Sequence, residues 1–147
     1  METSGQNYNY VEWKSAEEMH FSSTQWISEL NFIKDEHQFF EGMLKEYTLP
    51  IIESHLLSKV KDLIDHLTKY KQKVETLINK TTEHRNGLQI IVDGIDQLDE
   101  ENRYKKEHRK LLIDVTQFSL ENNDLKKEIF ETIAQALKQQ KQKRLLS

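Results

Sequence analysis

Apolar residues recur along this chain in alternating steps of four and three, the spacing of a helix that packs along one seam. The first stripe comprises Trp26, Leu30, Ile33, His37, Phe40, Leu44 and Tyr47. A capping box, Ser15 with Glu18, predicts a helix start near residue 15, and a second one, Ser22 with Gln25, would place the start near residue 23. Pro50 predicts its end, since the residue before a proline is biased away from helix. Four more apolar residues widen this stripe and indicate two neighbouring helices: Ile27, Phe32, Phe39 and Met43.

The second stripe runs from Leu56 to Leu98 without a change of phase. Its middle is the polar segment INKTTEHRNGL, residues 78–88, which resembles a loop because Asn-Gly dipeptides favour turns. A loop, however, gives no reason for the apolar phase before it to match the phase after it. We therefore predict one continuous helix over about residues 51–98, in which Gly87 costs about 1 kcal/mol relative to alanine.

A third stripe covers Tyr104 to Ile129, and Asp99 with the two acids after it predicts a helix start. The predicted fold is therefore all-α: a long antiparallel three-helix bundle or coiled coil, with helices at about 15–47, 51–98 and 99–144. Residues 15–147 form a single helical-bundle domain, and residues 1–14 a flexible N-terminal segment. The alternative is a four-helix up-down bundle with a break near 79–87.

Composition narrows the function classes. The chain of 147 residues has 31% charged residues, four Gly, one Pro and no Cys, a composition typical of long helices. A net charge of −4 favours neither nucleic acid nor an acidic membrane as a partner. The first residues have no basic and apolar signal pattern, and no apolar run approaches the roughly 20 residues of a membrane span. We expect a cytoplasmic protein.

The segment WISELNFIKDEHQFFEGML, residues 26–44, has the pattern W-x-x-E-L-x-F-x-K-D-E-x-x-x-F-x-x-x-L. It resembles the first helix of an uncharacterised group of small bacterial coiled-coil proteins. The segment YKQKVETLINKTTEHRNGL is similar to their second helix, which continues through a polar stretch that contains a histidine. The resemblance implies long antiparallel helices without enzymatic activity. His37 departs from it, since that position is usually apolar. The residues that carry the motif are Trp26, Glu29, Leu30, Phe32, Lys34, Asp35, Glu36, Phe40 and Leu44.

Histidines and carboxylates raise the alternative of a metal- or oxygen-binding bundle of hemerythrin or ferritin type. Such bundles use Glu-x-x-His pairs on two helices, whereas this chain has one, Glu17 with His20. With turns near residues 49 and 99, the antiparallel helices would place His84 about six residues from the levels of His20 and His108. This offset corresponds to about 9 Å along the helix axes. Ligands must lie about 2 Å from one ion, so we predict no metal site and no cofactor.

The tripeptide Glu-His-Arg occurs twice, at residues 83–85 and 107–109. If the turn between the second and third helices were tighter and centred near residues 95–96, the two triplets would face each other. Two or three histidines would then cluster, or each glutamate would pair with the opposite arginine. Exposed ion pairs of that kind contribute less than about 1 kcal/mol each.

Features of covalent catalysis are missing from the sequence. It has no cysteine, no glycine-flanked serine and no glycine-rich phosphate loop. The acidic clusters at residues 35–36 and 99–101 are typical of solvated helix faces or caps. We therefore predict no catalytic residue and a non-enzymatic protein.

Polar residues on an apolar seam fix helix register and oligomeric state. The candidates are His37, Thr81, His84, His108 and Asn122. We expect the first helix to reach only to the level of about residue 83, which leaves the distal hairpin with an uncovered seam that either residues 1–14 or a second subunit would cover. Its candidate interface residues are Leu88, Ile91, Ile95, Leu98, Tyr104 and Leu111. The predicted function is a helical scaffold or interaction module that forms a homodimer through this hairpin or binds another helical protein.

Overall fold

A computed structural model of the chain describes residues 15–93 and 98–146, with the side chains of residues 93 and 98 left aside. Four helices make up this part of the chain. They are α1, Ala16–Glu46; α2, Thr48–Glu53; α3, Leu57–Asp93; and α4, Leu98–Leu146. The predicted all-α class and bundle packing are confirmed. Among the described residues, no helix is long and apolar enough to cross a membrane.

Helix α1 begins at the predicted cap. The Ser15 hydroxyl oxygen accepts a hydrogen bond from the Glu18 amide at 3.2 Å, which satisfies one of the free N–H groups at the helix start. The two phenylalanines that were expected to widen the buried stripe do not do so. Phe32 is 63% exposed and Phe39 is 60% exposed, because the stripe through Leu30 and Phe40 already fills the core side of the helix.

The chain reverses after α1 by way of α2, which the sequence analysis did not predict. Pro50 lies in the first turn of this short helix, where its missing N–H is not needed. His55 then takes φ 60°, the amide of Leu56 bonds to the carbonyl of Ile51 at 3.1 Å, and that of His55 bonds to the carbonyl of Ile52 at 3.1 Å. This is a Schellman motif without glycine. The predicted helix start at residue 51 is therefore displaced to Leu57.

Helix α3 is continuous through residues 78–88, as the unbroken apolar phase predicts. The alternative break near residues 79–87 is wrong. Gly87 has a packing reason to lie within this helix, because a Cβ built on it would lie 2.7 Å from Cζ of Tyr104 on α4 and closer still to its hydroxyl. The turn-forming dipeptide therefore marks a close approach between two helices.

Helix α4 begins at Leu98, with Asp99, Glu100 and Glu101 in its first turn near the positive end of the helix dipole. Its buried stripe continues beyond Ile129 through Ile133 and Ala136, while Leu137 is 37% exposed. The end of α3 at Asp93 and the start of α4 at Leu98 place the reversal earlier in the chain than the predicted turn near residue 99. This shift changes which residues of the two helices face each other.

The contacts group the chain into two compact units. Unit 1 combines the chain up to Asn31 with Glu75–Ser119, and unit 2 combines Phe32–Val74 with residues from Leu120 onward. The core of unit 1 includes Met19, Trp26, Leu30, Leu77, Leu88, Leu111, Val115 and Phe118. The core of unit 2 includes Phe40, Leu44, Ile51, Val60, Leu63, Leu67, Leu125, Ile129 and Ile133. Each unit also contains a buried polar layer.

Candidate functional site

The polar layer of unit 1 is built on two histidines from adjacent helices. His84 on α3 and His108 on α4 are both buried, and Nε2 of His84 lies 2.9 Å from Nδ1 of His108. Their rings stack, with centroids 5.1 Å apart and an interplanar angle of 24°. The separation of about 9 Å in height that the sequence analysis predicted is therefore wrong. The tighter reversal that brings the two Glu-His-Arg triplets together matches the structure.

Glu107 extends this pair to a chain of three groups. Its carboxylate oxygen Oε1 lies 2.7 Å from Nδ1 of His84, and its side chain is half exposed while that of His84 is fully buried. A carboxylate only accepts, so Nδ1 of His84 carries a hydrogen and donates it. A neutral His84 then accepts at Nε2 from Nδ1–H of His108. Glu107 thus binds the histidine of the opposite triplet, instead of the arginine that the sequence analysis considered.

Aromatic rings enclose the two imidazoles. The Trp26 ring of α1 stacks on His108 with centroids 4.4 Å apart and an interplanar angle of 23°. Tyr104 tilts against His84 at a centroid distance of 5.5 Å while it covers Gly87. All three long helices therefore contribute to the layer, and α1 reaches the level of His84 and continues beyond it to Met19 and Ala16, which are buried.

Burial keeps both imidazoles neutral. Desolvation, and secondarily the charge of His84, lowers the pKa of His108 to about 3. Desolvation also lowers the pKa of His84, although the hydrogen bond and the charge of Glu107 act in the opposite direction. The cause in both cases is that a charged imidazole loses its hydration in the core.

A polar cavity of about 380 Å³ opens beside this layer, with Tyr104 and His84 in its wall. The other polar groups in the wall have both signs of charge: Lys80, Glu83, Glu107, Lys110 and Asp114. The arrangement connects a half-exposed carboxylate to two buried imidazoles and can carry a proton between water and the core. Among residues 15–93 and 98–146, no group of three His, Cys, Asp or Glu side chains is placed to hold a metal ion.

Unit 2 has a smaller polar layer. His37 on α1 and Asn122 on α4 are each 1% exposed, and Nε2 of His37 lies 2.6 Å from Oδ1 of Asn122. In the described part of the chain, Nδ1 of His37 and Nδ2 of Asn122 have no hydrogen-bond partner. Burial lowers the pKa of His37, opposed by the hydrogen bond to Asn122 and by the charge of Glu36. This hydrogen bond therefore joins α1 to α4 in the core of unit 2.

The five predicted polar seam residues are all buried, and four of them form two hydrogen-bonded pairs. The fifth, Thr81, is fully buried and donates its hydroxyl to the carbonyl of Leu77 at 2.7 Å. Their burial agrees with their place on the apolar seams, and their role in helix register stays a prediction.

The predicted interface residues have varied positions. Leu88 and Leu111 are 0% and 5% exposed, so they belong to the core of unit 1. Ile91 and Tyr104 are partly buried. Ile95 and the side chain of Leu98 lie outside the described residues. The expected two-helix arm does not form around Leu88, because α1 covers this level.

Sequence reasoning did not assign Trp26, Glu107 or Tyr104 to this layer. The recurrence of Glu-His-Arg was the signal for Glu107. It indicated a contact between the two triplets only if the turn lay near residues 95–96. Gly87 was a signal for Tyr104, because a glycine that is retained inside a helix indicates a close neighbour. Nothing in the sequence pattern pairs Trp26 with a particular histidine.

No family model, no curated protein and no solved structure gives a significant match to this chain. The resemblance of its first helix to small bacterial coiled-coil proteins therefore stays a prediction.

Proposed function

We propose that this chain is a non-enzymatic helical interaction module that self-associates through an exposed surface of unit 2. This surface, the α1–α4 face, consists of Phe32 and Phe39 on α1 with Phe130 and Leu137 on α4. The observation that carries the proposal is the exposure of Phe32 and Phe39, each at least 60% accessible although the core behind them is complete. Grouped apolar side chains at a protein surface are typical of interaction sites.

The spacing of the four residues fits a helical partner. Phe32 and Phe39 are one heptad apart, as are Phe130 and Leu137, so each pair lies on one side of its helix. The rings of Phe39 and Phe40 lie 6.2 Å apart, and those of Phe40 and Phe130 lie 5.5 Å apart, so the exposed rings of the two helices both pack against the buried ring of Phe40. Two such rows form the groove into which a further helix packs.

Charge favours a second copy of the chain as the partner. Asp35 lies between Phe32 and Phe39 on the helix surface, at i+3 and i−4, and it is exposed. Lys127 precedes Phe130 by three residues and is also exposed. Asp35 beside the α1 row and Lys127 beside the α4 row therefore carry opposite charges. A two-fold axis parallel to the helices places α1 of each copy against α4 of the other, so that opposite charges meet.

The levels of the residues are consistent with this arrangement. Glu36 and Lys126 form an ion pair at 2.7 Å, and the rings of Phe40 and Phe130 are in contact, so α1 and α4 run parallel in unit 2. A rotation about an axis along the helices preserves height. Residues of α1 are level with residues of α4 whose numbers are higher by about 90. Asp35 then lies within two residues, or about 3 Å, of the level of Lys127 of the second copy. Phe39 lies within one residue of the level of its Phe130, and Glu46 within two of that of its Lys138.

The proposal keeps the predicted self-association and changes its surface. The distal hairpin of unit 1 offered Leu88 and Leu111 as contacts, but these side chains are buried within their own unit. A dimer that used them would have to open that core. The α1–α4 face requires no such opening, because its residues are already exposed.

Sedimentation equilibrium over a micromolar concentration series tests the proposal. We expect a monomer–dimer equilibrium that Phe39→Glu shifts to monomer. Ile90→Glu, which changes a side chain on α3 that is 69% exposed and outside the face, should leave it unchanged. A wild-type chain that stays monomeric at high micromolar concentration would overturn the proposal.

A charge exchange tests the orientation. Asp35→Lys and Lys127→Asp should each weaken the dimer by about threefold to fivefold, the range of an exposed ion pair. The double variant restores attraction between the copies and should regain most of the loss. If the two effects simply add, the proposed α1-to-α4 pairing is wrong.

Metal analysis of protein purified without an affinity tag tests the alternative of a hemerythrin- or ferritin-type bundle. Stoichiometric iron, manganese or zinc would replace the interaction module as the leading function.

A further inference from the structure

Unit 2 has a second apolar surface, on the side of α1 that faces α3. It is a groove of about 360 Å³ between the end of α1, the short helix α2 and the start of α3. The fold creates it where the Schellman motif at His55 separates α2 from α3. Leu44, Ile51, Val60 and Leu67 form its floor and are buried.

The rim of the groove combines apolar groups with two cations. Leu57 and Ile64 line it and are 40% and 42% exposed, more than a core residue would be. Lys45 and Lys61 stand at its edge and form no ion pair with the described residues. The acid of the groove, Glu41, binds Lys71 at 2.7 Å, so it does not neutralise either lysine.

The two remaining polar side chains of the wall form hydrogen bonds to main-chain carbonyl groups. The Thr48 hydroxyl donates to the carbonyl of Lys45 at 2.8 Å, and the Thr68 hydroxyl donates to that of Ile64 at 2.9 Å. The donors that the groove offers to a ligand are therefore the two ammonium groups. A concave, mostly apolar site with a few polar groups at one edge is the usual form of a small-molecule site.

We propose that this groove binds a medium-chain carboxylate, with the alkyl chain along the floor and the carboxylate between Lys45 and Lys61. The volume limits the chain length. A methylene group takes up roughly the 30 Å³ of a water molecule in the liquid, so the groove holds a chain of about ten to twelve carbons. This ligand site is independent of the proposed self-association, since it uses the other side of α1.

The paired lysines set the selectivity. A carboxylate with a long alkyl chain gains both burial of the chain and attraction to the cations, whereas the alcohol of the same length gains only the first. A short carboxylate gains only the second, in an exposed position where ion pairs are weak. Dodecanoate should therefore bind more tightly than either dodecanol or butyrate.

Isothermal titration calorimetry of the full chain with dodecanoate, below its micelle concentration, tests the site. We expect saturable one-to-one binding that Lys45→Gln/Lys61→Gln weakens by about tenfold, to the affinity of dodecanol. Lys69→Gln, which removes an exposed charge of α3 outside the groove, serves as the matched control and should bind as the wild type does.

A second variant tests the apolar part. Ile64→Asn replaces a partly exposed wall residue without opening the core and should reduce dodecanoate affinity severalfold, with the helical circular dichroism signal retained at the assay temperature. Absence of saturable binding, equal affinity for dodecanol and dodecanoate, or binding only to anionic lipid vesicles would each overturn the proposal. So would a competing amphipathic peptide that binds the groove more tightly than dodecanoate does.

Discussion

His84 and His108 share a hydrogen bond of 2.9 Å in the core of unit 1, between α3, which ends at Asp93, and α4, which begins at Leu98. Both imidazoles are buried, and Trp26 stacks on the ring of His108 while Tyr104 tilts against that of His84. The pair is held neutral by burial, and its response to acid provides the first prediction.

Unit 1 should lose stability as the pH falls below 6.5. The pKa of His108 is lowered from 6.5 to about 3 on folding, so the unfolded chain binds the proton more tightly. Above pH 6.5 this difference in proton binding costs almost no stability. Below pH 6.5 the free energy of unfolding falls by about 1.4 kcal/mol per pH unit, which amounts to roughly 2 kcal/mol at pH 5. Urea unfolding between pH 7.5 and 4.5 measures this slope.

The control for this prediction is His84→Leu/His108→Phe, which removes both titrating groups and keeps their volume apolar. Its stability should depend less steeply on pH than that of the wild type. Equal slopes for the two proteins would show that other groups cause the acid response.

His55→Gly should stabilise the chain by about 1 kcal/mol. His55 has φ 60°, a conformation that glycine adopts without the steric penalty of a Cβ. His66→Gly is the matched control, because His66 lies inside α3 and the same substitution should cost a few tenths of a kcal/mol there. Thermal melts of the two variants should shift in opposite directions, and a common direction would contradict the assigned turn.

The two helical glycines should respond oppositely to alanine. A Cβ at Gly42 meets nothing within 4 Å, so Gly42→Ala should add about 1 kcal/mol through helix propensity. A Cβ at Gly87 would overlap the Tyr104 ring, so Gly87→Ala should cost about 1–3 kcal/mol as overpacking does. Urea midpoints at low protein concentration measure both, and a stabilising Gly87→Ala would show that Tyr104 moves aside freely.

The His37–Asn122 pair should show strong non-additivity. Asn122→Leu alone leaves the buried Nε2 of His37 without its partner and should cost about 1–3 kcal/mol. His37→Leu/Asn122→Leu removes both polar groups, including the two atoms that have no partner in the described chain, and should recover most of that cost. A double-mutant cycle in urea measures the coupling, and additive losses would exclude a shared hydrogen bond.

Much of the fold was accessible from periodicity. The phase of the second stripe predicted a helix through Asn86-Gly87, because a buried seam continues only if the helix does. The same reasoning placed all five polar seam residues in the interior. Periodicity is a property of one helix, however, and says which residues face inward without saying which residues of two helices meet.

The pairings depended on turns, and turns were where the prediction was weak. The chain turns after α2 through His55, where the sequence has no glycine to mark a left-handed residue. The interval between the end of α3 at Asp93 and the start of α4 at Leu98 precedes the turn near residue 99 that the acidic cap predicts. An error of a few residues in the predicted position of this turn separated His84 from His108 and gave a false distance between them. Phe32 and Phe39 were assigned to a seam because hydrophobicity alone does not distinguish a buried side chain from an exposed one.

The half-exposed carboxylate of Glu107 gives the interior of unit 1 a route for chemical exchange. Through His84 it connects water to His108 by two hydrogen bonds, and neither bond involves the main chain of a helix. A proton can therefore pass between solvent and the core while every backbone hydrogen bond of α3 and α4 stays closed. Acid would reach these imidazoles at the rate of proton transfer and side-chain motion, and unfolding would follow protonation in time.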